Sequence, residues 1–140
     1  MLAPGLVRGI HHVAFAEGPG ATRFRLLTEL LGLGPVHTED AGDFVERMAP
    51  VGDCWIQGLE AVAEGVVSRS IRARGEGFHH LALAVSDLDR VLDDLAAADV
   101  RLVDRVARPG GMGTRIAFAH PAAFGGILIE FVEQRSAPAS

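Results

Sequence analysis

One cysteine in 140 residues leaves no internal disulfide to staple a fold, and a chain without that device suits a reducing cytoplasm. Cys54 lies beside Trp55 in a strand-like segment, which reads as a packed thiol rather than a nucleophile. Basic charge is also short: 13 Lys and Arg stand against 18 Asp and Glu, a net charge of −5. That balance argues against nucleic acid or an anionic membrane as the main partner. No apolar run approaches the roughly 18 residues of a membrane span. The opening "MLAPGLVRG" lacks the charged region and apolar core of a signal peptide, so a cytoplasmic setting is expected. The ends, "MLAPG" and "QRSAPAS", read as short disordered tails. What the chain has is apolar matter, 49% of its residues, enough for the core of one domain.

It also has a repeat. "GIHHVAFA" at residues 9–16 returns as "GFHHLALA" at residues 77–84, with a double histidine at the same place in each. The later strings "WIQGLE" (55–60) and "LIEFVE" (128–133) correspond in the same way. A tandem duplication with a modest loop insertion explains both offsets.

Residues 10–16 alternate around histidine and small positions, the period-2 signature of a strand. "ATRFRLLTELLG" follows as a helix with Phe24, Leu27, Leu30 and Leu31 on one face and Gly32 as its stop. "MAPVGDCWIQGL" reads as a hairpin turning at Gly52-Asp53. "SDLDRVLDDLAAADV" is the strongest helix, with Ser86 as cap and Leu88, Val91, Leu92 and Leu95 as its buried stripe. "RPGGMG" is a loop, and "TRIAFAH" and "GGILIEFVE" are the closing strands. The expected organisation is one α+β domain over 1–140. It comprises a first βαβββ repeat (9–60), a connector (61–76) containing the helical "EAVAEGVVSRSIRAR", and a second βαβββ repeat (77–134). Neither half has enough core to stand alone, so the two are expected to pack into one open, sheet-lined barrel.

Successive strand residues point to opposite faces, so only one histidine of His11/His12 and one of His79/His80 can face a common cavity. The last strands add Gln57 and Glu130, each following an isoleucine. A strand histidine by itself is usually a hydrogen-bonded structural residue, and Gln57 by itself is unremarkable. Glu130 is harder to dismiss, because a carboxylate inside "GGILIEFV" needs a partner when buried. Together, at repeat-equivalent positions, two histidines, an amide oxygen and a carboxylate form a donor set for one divalent ion such as cobalt, manganese, nickel or zinc. His37 and His120 have no such equivalents and read as surface or loop residues.

At these residues the chain resembles the vicinal oxygen chelate superfamily, which includes glyoxalase I, extradiol dioxygenases, bleomycin and fosfomycin resistance proteins and methylmalonyl-CoA epimerases. It is most similar to the epimerases. "RARGEGFHHLALAVSDLD", "GTRIAFAHP" and "GGILIEFVE" resemble their central and C-terminal signatures, and "VGDCWIQGLE" their first-half hairpin. The resemblance implies that the second histidine of each pair serves, so that His12, Gln57, His80 and Glu130 hold the metal. It further implies a 2-carboxyacyl-CoA substrate, chelated through its thioester carbonyl and free carboxylate, and an enolate formed when the α-proton leaves.

Epimerisation needs a base on one face and an acid on the other. Glu130 fills one role by resemblance. The family's partner glutamate lies beside a "QGV"-like motif, and here that stretch is "TEDAGDFVERM", without the motif. A two-residue turn at Gly52-Asp53 sets Met48 opposite Gln57 and Glu46 opposite Leu59, which makes Glu46 the candidate; Asp40 and Asp43 are the loop alternatives. An exposed acidic loop accounts equally well for each of the three alone. Arg72, Arg74, Arg108 and Arg115 are available to coenzyme A phosphates, although most arginines are simply solvated. The expected partners are the acyl-CoA substrate and a second copy of the chain in a homodimer, with no nucleic acid and no membrane. Two other readings compete: a glyoxalase-like isomerase or lyase on another chelating substrate, and a non-catalytic binding or resistance protein.

Overall fold

Small and β-branched residues in alternation, followed by an amphipathic run and three more strands, build the same element series twice. In a computed structural model that describes residues 1–134, the first series is β1 (Val7–Glu17), α1 (Arg23–Leu30), β2 (His37–Asp40), β3 (Phe44–Val51) and β4 (Cys54–Ala61). Helix α2 (Val66–Arg74) follows, and then β5 (Gly77–Val85), α3 (Leu88–Ala97), β6 (Arg108–Pro109), β7 (Thr114–Ala119) and β8 (Ile129–Gln134). Backbone contacts divide the chain into two compact units: His12–His80, and Met1–His11 together with the chain from Leu81 onward. Both divisions fall inside strands β1 and β5.

In the unit His12–His80 the strands neighbour one another in the order β2-β3-β4-β1, with β1 and β4 parallel and the β2–β3 and β3–β4 pairs antiparallel. The β3–β4 hairpin closes through the Gly52-Asp53 turn, where Gly52 takes the left-handed φ of 57° that a tight turn demands. Its register is Met48 against Gln57 and Glu46 against Leu59. One sheet face buries Ala14, Ala16, Leu59 and Ala61 beneath Val67 of α2. The opposite face carries α1, whose Phe24 ring presses on Gly58; a Cβ at Gly58 would stand 2.7 Å from that ring. Glycine is therefore a packing requirement at this strand position.

In the other unit the order is β5-β8-β7-β6, with β5 and β8 parallel and β7 antiparallel to both its neighbours. Its core sets Leu88, Val91 and Leu92 of α3 on Val85, Ala117, Ala119, Ile129 and Phe131. Apolar side chains removed from water at this density are the main stabilising term.

Three local expectations are corrected. The buried face of α1 is Phe24 and Thr28, whereas Leu30 and Leu31 are exposed. Leu30 is the last helical residue and Leu31 follows it, and both stand in solvent at the end of the helix. Asp87 caps α3, accepting from the Arg90 N–H at 3.2 Å, one position beyond the Ser86 that its hydroxyl suggested. The opening "MLAPG" is not a loose tail, since Leu2 and Ala3 pack on the α3 core. The closing "QRSAPAS" lies, after Gln134, outside the described residues.

Candidate metal centre

The parallel pair β1–β4 sets Ala14 opposite Gln57, two residues beyond His12 on the same strand face. The parallel pair β5–β8 sets Ala82 opposite Glu130, two residues beyond His80 on the same strand face. The spacing is identical: a histidine, then two positions on an alanine, and across from it a side chain with an oxygen donor. Both alanines are fully buried, and their small side chains leave that face to the longer residues beside them.

All four donors are buried: His12 4% exposed, Gln57 5%, His80 3% and Glu130 5%. Within the unit His12–His80 the two histidines meet directly, Nε2 to Nε2 at 2.9 Å, with ring planes inclined at 76°. This is a hydrogen-bond distance; it also equals the edge between adjacent ligands on an octahedral ion with bonds of about 2.1 Å. Gln57 Oε1 is buried with no hydrogen-bond partner among the described residues. An orphaned buried carbonyl oxygen is costly in a finished fold and is what a missing cation would satisfy. The donors present therefore fit a divalent metal ion. Imidazole with carboxylate and amide oxygen is the ligand chemistry of cobalt, manganese, nickel and zinc.

Glu46 is half-buried on β3, opposite Leu59, on the sheet face that bears Gln57. The two alternatives are engaged in local structure. Asp40 Oδ1 accepts from the Gly42 N–H at 2.8 Å, closing the turn before β3. Asp43 Oδ2 accepts from the Val66 N–H at 3.1 Å at the start of α2. Of the three acids, Glu46 alone is placed by strand pairing on the face that carries Gln57.

His37 sits exposed on β2 beside Glu39, and His120 accepts from the Ala122 N–H at the start of a short 3₁₀ turn. Neither stands on a strand pair with the four donors. Arg72 pairs with Glu64, Arg108 with Asp104, and Arg115 with both Asp89 and Glu133. These arginines are committed to acidic neighbours. A cleft of about 440 Å³ lined by Glu17, Thr28, Arg47 and Glu60 opens on the α1 face, opposite the one bearing His12 and Gln57. There the Arg47 guanidinium and the Gly20 N–H hold the Glu60 carboxyl below its ordinary range. Sequence alternation missed one residue, His79: its Nδ1 lies 2.7 Å from His80 Nδ1 although the backbone sends the two side chains to opposite faces.

Fold and donor set define a class. The chain belongs to the glyoxalase/bleomycin resistance protein/dioxygenase superfamily, whose sequence profile matches residues 11–118. The resemblance read from the repeated motifs is thereby borne out, and so is the α+β fold of tandem βαβββ units. The chain is 30% identical over 109 residues to the uncharacterised protein YqjC of Bacillus subtilis, a match that covers 76% of this chain and 78% of that one. In structure it is similar to methylmalonyl-CoA epimerase from Mycobacterium tuberculosis: TM-score 0.86, 35% identity, 97% of this chain and 94% of that one. It is also similar to a methylmalonyl-CoA epimerase in complex with methylmalonyl-CoA and NH4+, with TM-score 0.84, 27% identity, and 96% and 99% of the two chains covered. Among the described residues no helix is long and apolar enough to cross a membrane.

Proposed function

We propose that the chain is a metal-dependent epimerase of a 2-carboxyacyl-CoA, of the methylmalonyl-CoA type, acting through an enolate. One divalent ion per chain, held by His12, Gln57, His80 and Glu130, belongs to this reading, as do a homodimer and a cytoplasmic setting. The observation that carries it is the twice-used register, His12–Ala14 against Gln57 and His80–Ala82 against Glu130, with all four donors buried. The orphaned Gln57 Oε1 and the likeness to epimerase structures support it.

When bound, the ion supplies a Lewis acid that draws electron density from the thioester carbonyl and makes the α-proton more acidic. The chain's own residues do the rest. His12 and His80 offer neutral nitrogen donors, and Gln57 offers an oxygen that cannot take up a proton. Glu130 can. Its carboxylate removes the α-proton, and the C–H electron pair passes into the carbonyl as the enolate forms. Glu46, in its acid form, returns a proton to the opposite face of the α-carbon. Glu130 is then protonated and Glu46 ionised, and either turnover in the reverse direction or exchange with water resets the pair. Burial of the donor set excludes water, which strengthens each electrostatic term.

The test is incubation of one C2 epimer of methylmalonyl-CoA with cobalt-loaded protein, followed by resolution of the epimers. Conversion toward an equal mixture is expected; full retention of the starting epimer by metal-loaded, folded protein would contradict the reading. One observation favours a second reading, a glyoxalase-like isomerase or lyase on another chelating substrate. Asp40 and Asp43 are spent on a turn and a helix start, which alters the acid/base segment that the epimerase resemblance calls for. Retention of methylmalonyl-CoA stereochemistry together with stoichiometric cobalt binding is the result that would select it.

A further inference from the structure

Within the unit His12–His80, the sheet face turned toward α1 holds a second polar site, away from His12 and Gln57. Parallel strands β1 and β4 set Glu17 directly opposite Glu60, and like charges so placed repel. Glu60 is engaged at both oxygens. One takes the Arg47 guanidinium at 2.7 Å, and the other takes the Gly20 N–H at 2.8 Å. Glu17 is engaged at one oxygen only. It is 2% exposed, and its Oε1 accepts from the Phe24 N–H at 2.5 Å near the start of α1. Its Oε2 accepts from no group among the described residues, and none of their arginines lies within ion-pair distance of it. Unlike Gln57 Oε1, this oxygen is not sealed off, since Glu17 lines the cleft of about 440 Å³.

The wall of that cleft dictates what it can take. Glu17, Glu60 and Arg47 bring two carboxylates against one guanidinium, which leaves one negative charge without a counterpart. Arg25 stands on the wall too, but it pairs with Glu29 at 3.7 Å. A carboxylate buried with a single hydrogen bond calls for a cation that can donate another. A divalent metal is a poor candidate, because it requires several oxygen ligands and both oxygens of Glu60 are spent. An ammonium group needs only one such oxygen and brings three N–H donors. The chain cannot supply it from a side chain: all 13 of its basic residues are arginine and none is lysine, so a second copy could not either. Ala21, Phe24 and Val36 add an apolar stretch of wall that suits a short alkyl chain.

We propose that the cleft beneath α1 binds a primary alkylammonium ion, with its nitrogen donating to Glu17 Oε2 and its alkyl chain along Phe24 and Val36. The site is independent of the donor set on the other sheet face. Its volume lies within the range of about 300–1,000 Å³ usual for small-molecule sites.

The experiment is amide ¹H–¹⁵N NMR of the full chain during titration with n-butylammonium chloride at fixed ionic strength. Tetramethylammonium chloride, with the same charge but no N–H, and 1-butanol, with the alkyl chain but no charge, are titrated in parallel. The n-butylammonium ion is expected to move the Phe24 and Gly20 amide signals saturably, and the other two probes are expected to leave them in place. Glu17→Gln keeps an oxygen for the Phe24 N–H but removes the charge, and should weaken n-butylammonium binding at least about tenfold. The proposal is overturned by the absence of saturable shifts with n-butylammonium, by equal shifts with either other probe, or by unchanged affinity in Glu17→Gln. The three probes discriminate on the wild type alone, so the test holds even where the variant fails to fold.

Discussion

The strand pair β1–β4 and the strand pair β5–β8 are two versions of one device, and they differ where the chemistry does. Both place a buried histidine two residues before a fully buried alanine, and both set a longer polar residue across from that alanine. In the first pair that residue is Gln57 and in the second Glu130. The amide holds an oxygen in place without ever carrying a proton, whereas the carboxylate can take one up. The repeated motif gives both pairs the same scaffold, and of the two oxygen-bearing residues opposite the alanines Glu130 is the one that can act as an acid or base in the proposed reaction.

The supports around the two pairs are duplicated as well. Glu60 accepts from the Gly20 N–H at 2.8 Å and pairs with Arg47 at 2.7 Å. Glu133 accepts from the Leu88 N–H at 2.7 Å and pairs with Arg115 at 3.0 Å. Each last-strand glutamate thus ties an arginine of its sheet to the approach to a helix. Both helix starts gain negative charge, which favours their unsatisfied N–H groups. The finish differs: α3 has a side-chain cap in Asp87, while Thr22 at the start of α1 makes no cap bond and Glu17 accepts from the Phe24 N–H at 2.5 Å instead.

The sharpest way to break the comparison is to make the second pair a copy of the first. Glu130→Gln should lower epimerisation at least about 100-fold, the scale of a lost general base, when one epimer is followed by chiral chromatography. An undiminished rate would remove Glu130 from proton transfer. Next in size is Gly58→Ala, which forces a methyl group into the Phe24 ring. Overpacking of this kind costs about 1–3 kcal/mol, to be read as a fall in the urea midpoint. The two helix caps come third: Asp87→Ala should cost about 1 kcal/mol, and Thr22→Ala close to nothing, in the same urea measurement.

The smallest effect is a pH dependence. Arg47 and the Gly20 N–H depress the folded-state pKa of Glu60 below its unfolded value. The carboxylate therefore adds stability at pH values above the unfolded value of about 4.3, and that contribution is lost as pH falls through the folded pKa. Glu60→Gln should flatten the acid limb of a stability–pH curve and leave its shape near neutral pH unchanged.

Most of this was legible because the sequence says it twice. A repeated string fixes the phase of each histidine, and the two-residue turn at Gly52-Asp53 fixes the hairpin register that carries Glu46 opposite Leu59. The less legible parts are those that periodicity cannot reach. The buried face of α1 depends on where the helix stops: it stops at Leu30, and Leu30 and Leu31 stand in solvent there. Ser86 and Asp87 are both good cap formers, so composition could not choose between them. The roles of Asp40 and Asp43 are bonds to nearby backbone N–H groups, which an acidic string does not announce. The contact of His79 with His80 escapes because alternation describes where Cβ points, not how far a ring reaches.

The most direct measurement is deuterium incorporation at C2 of methylmalonyl-CoA in heavy water, comparing cobalt-loaded wild type with cobalt-loaded Glu130→Gln. Rapid incorporation by the wild type and at least a roughly 100-fold slower rate in the variant are predicted. Absence of deuterium at C2 after prolonged incubation with the wild type, or equal incorporation by both proteins, would contradict the assignment of Glu130 as the base of an epimerase.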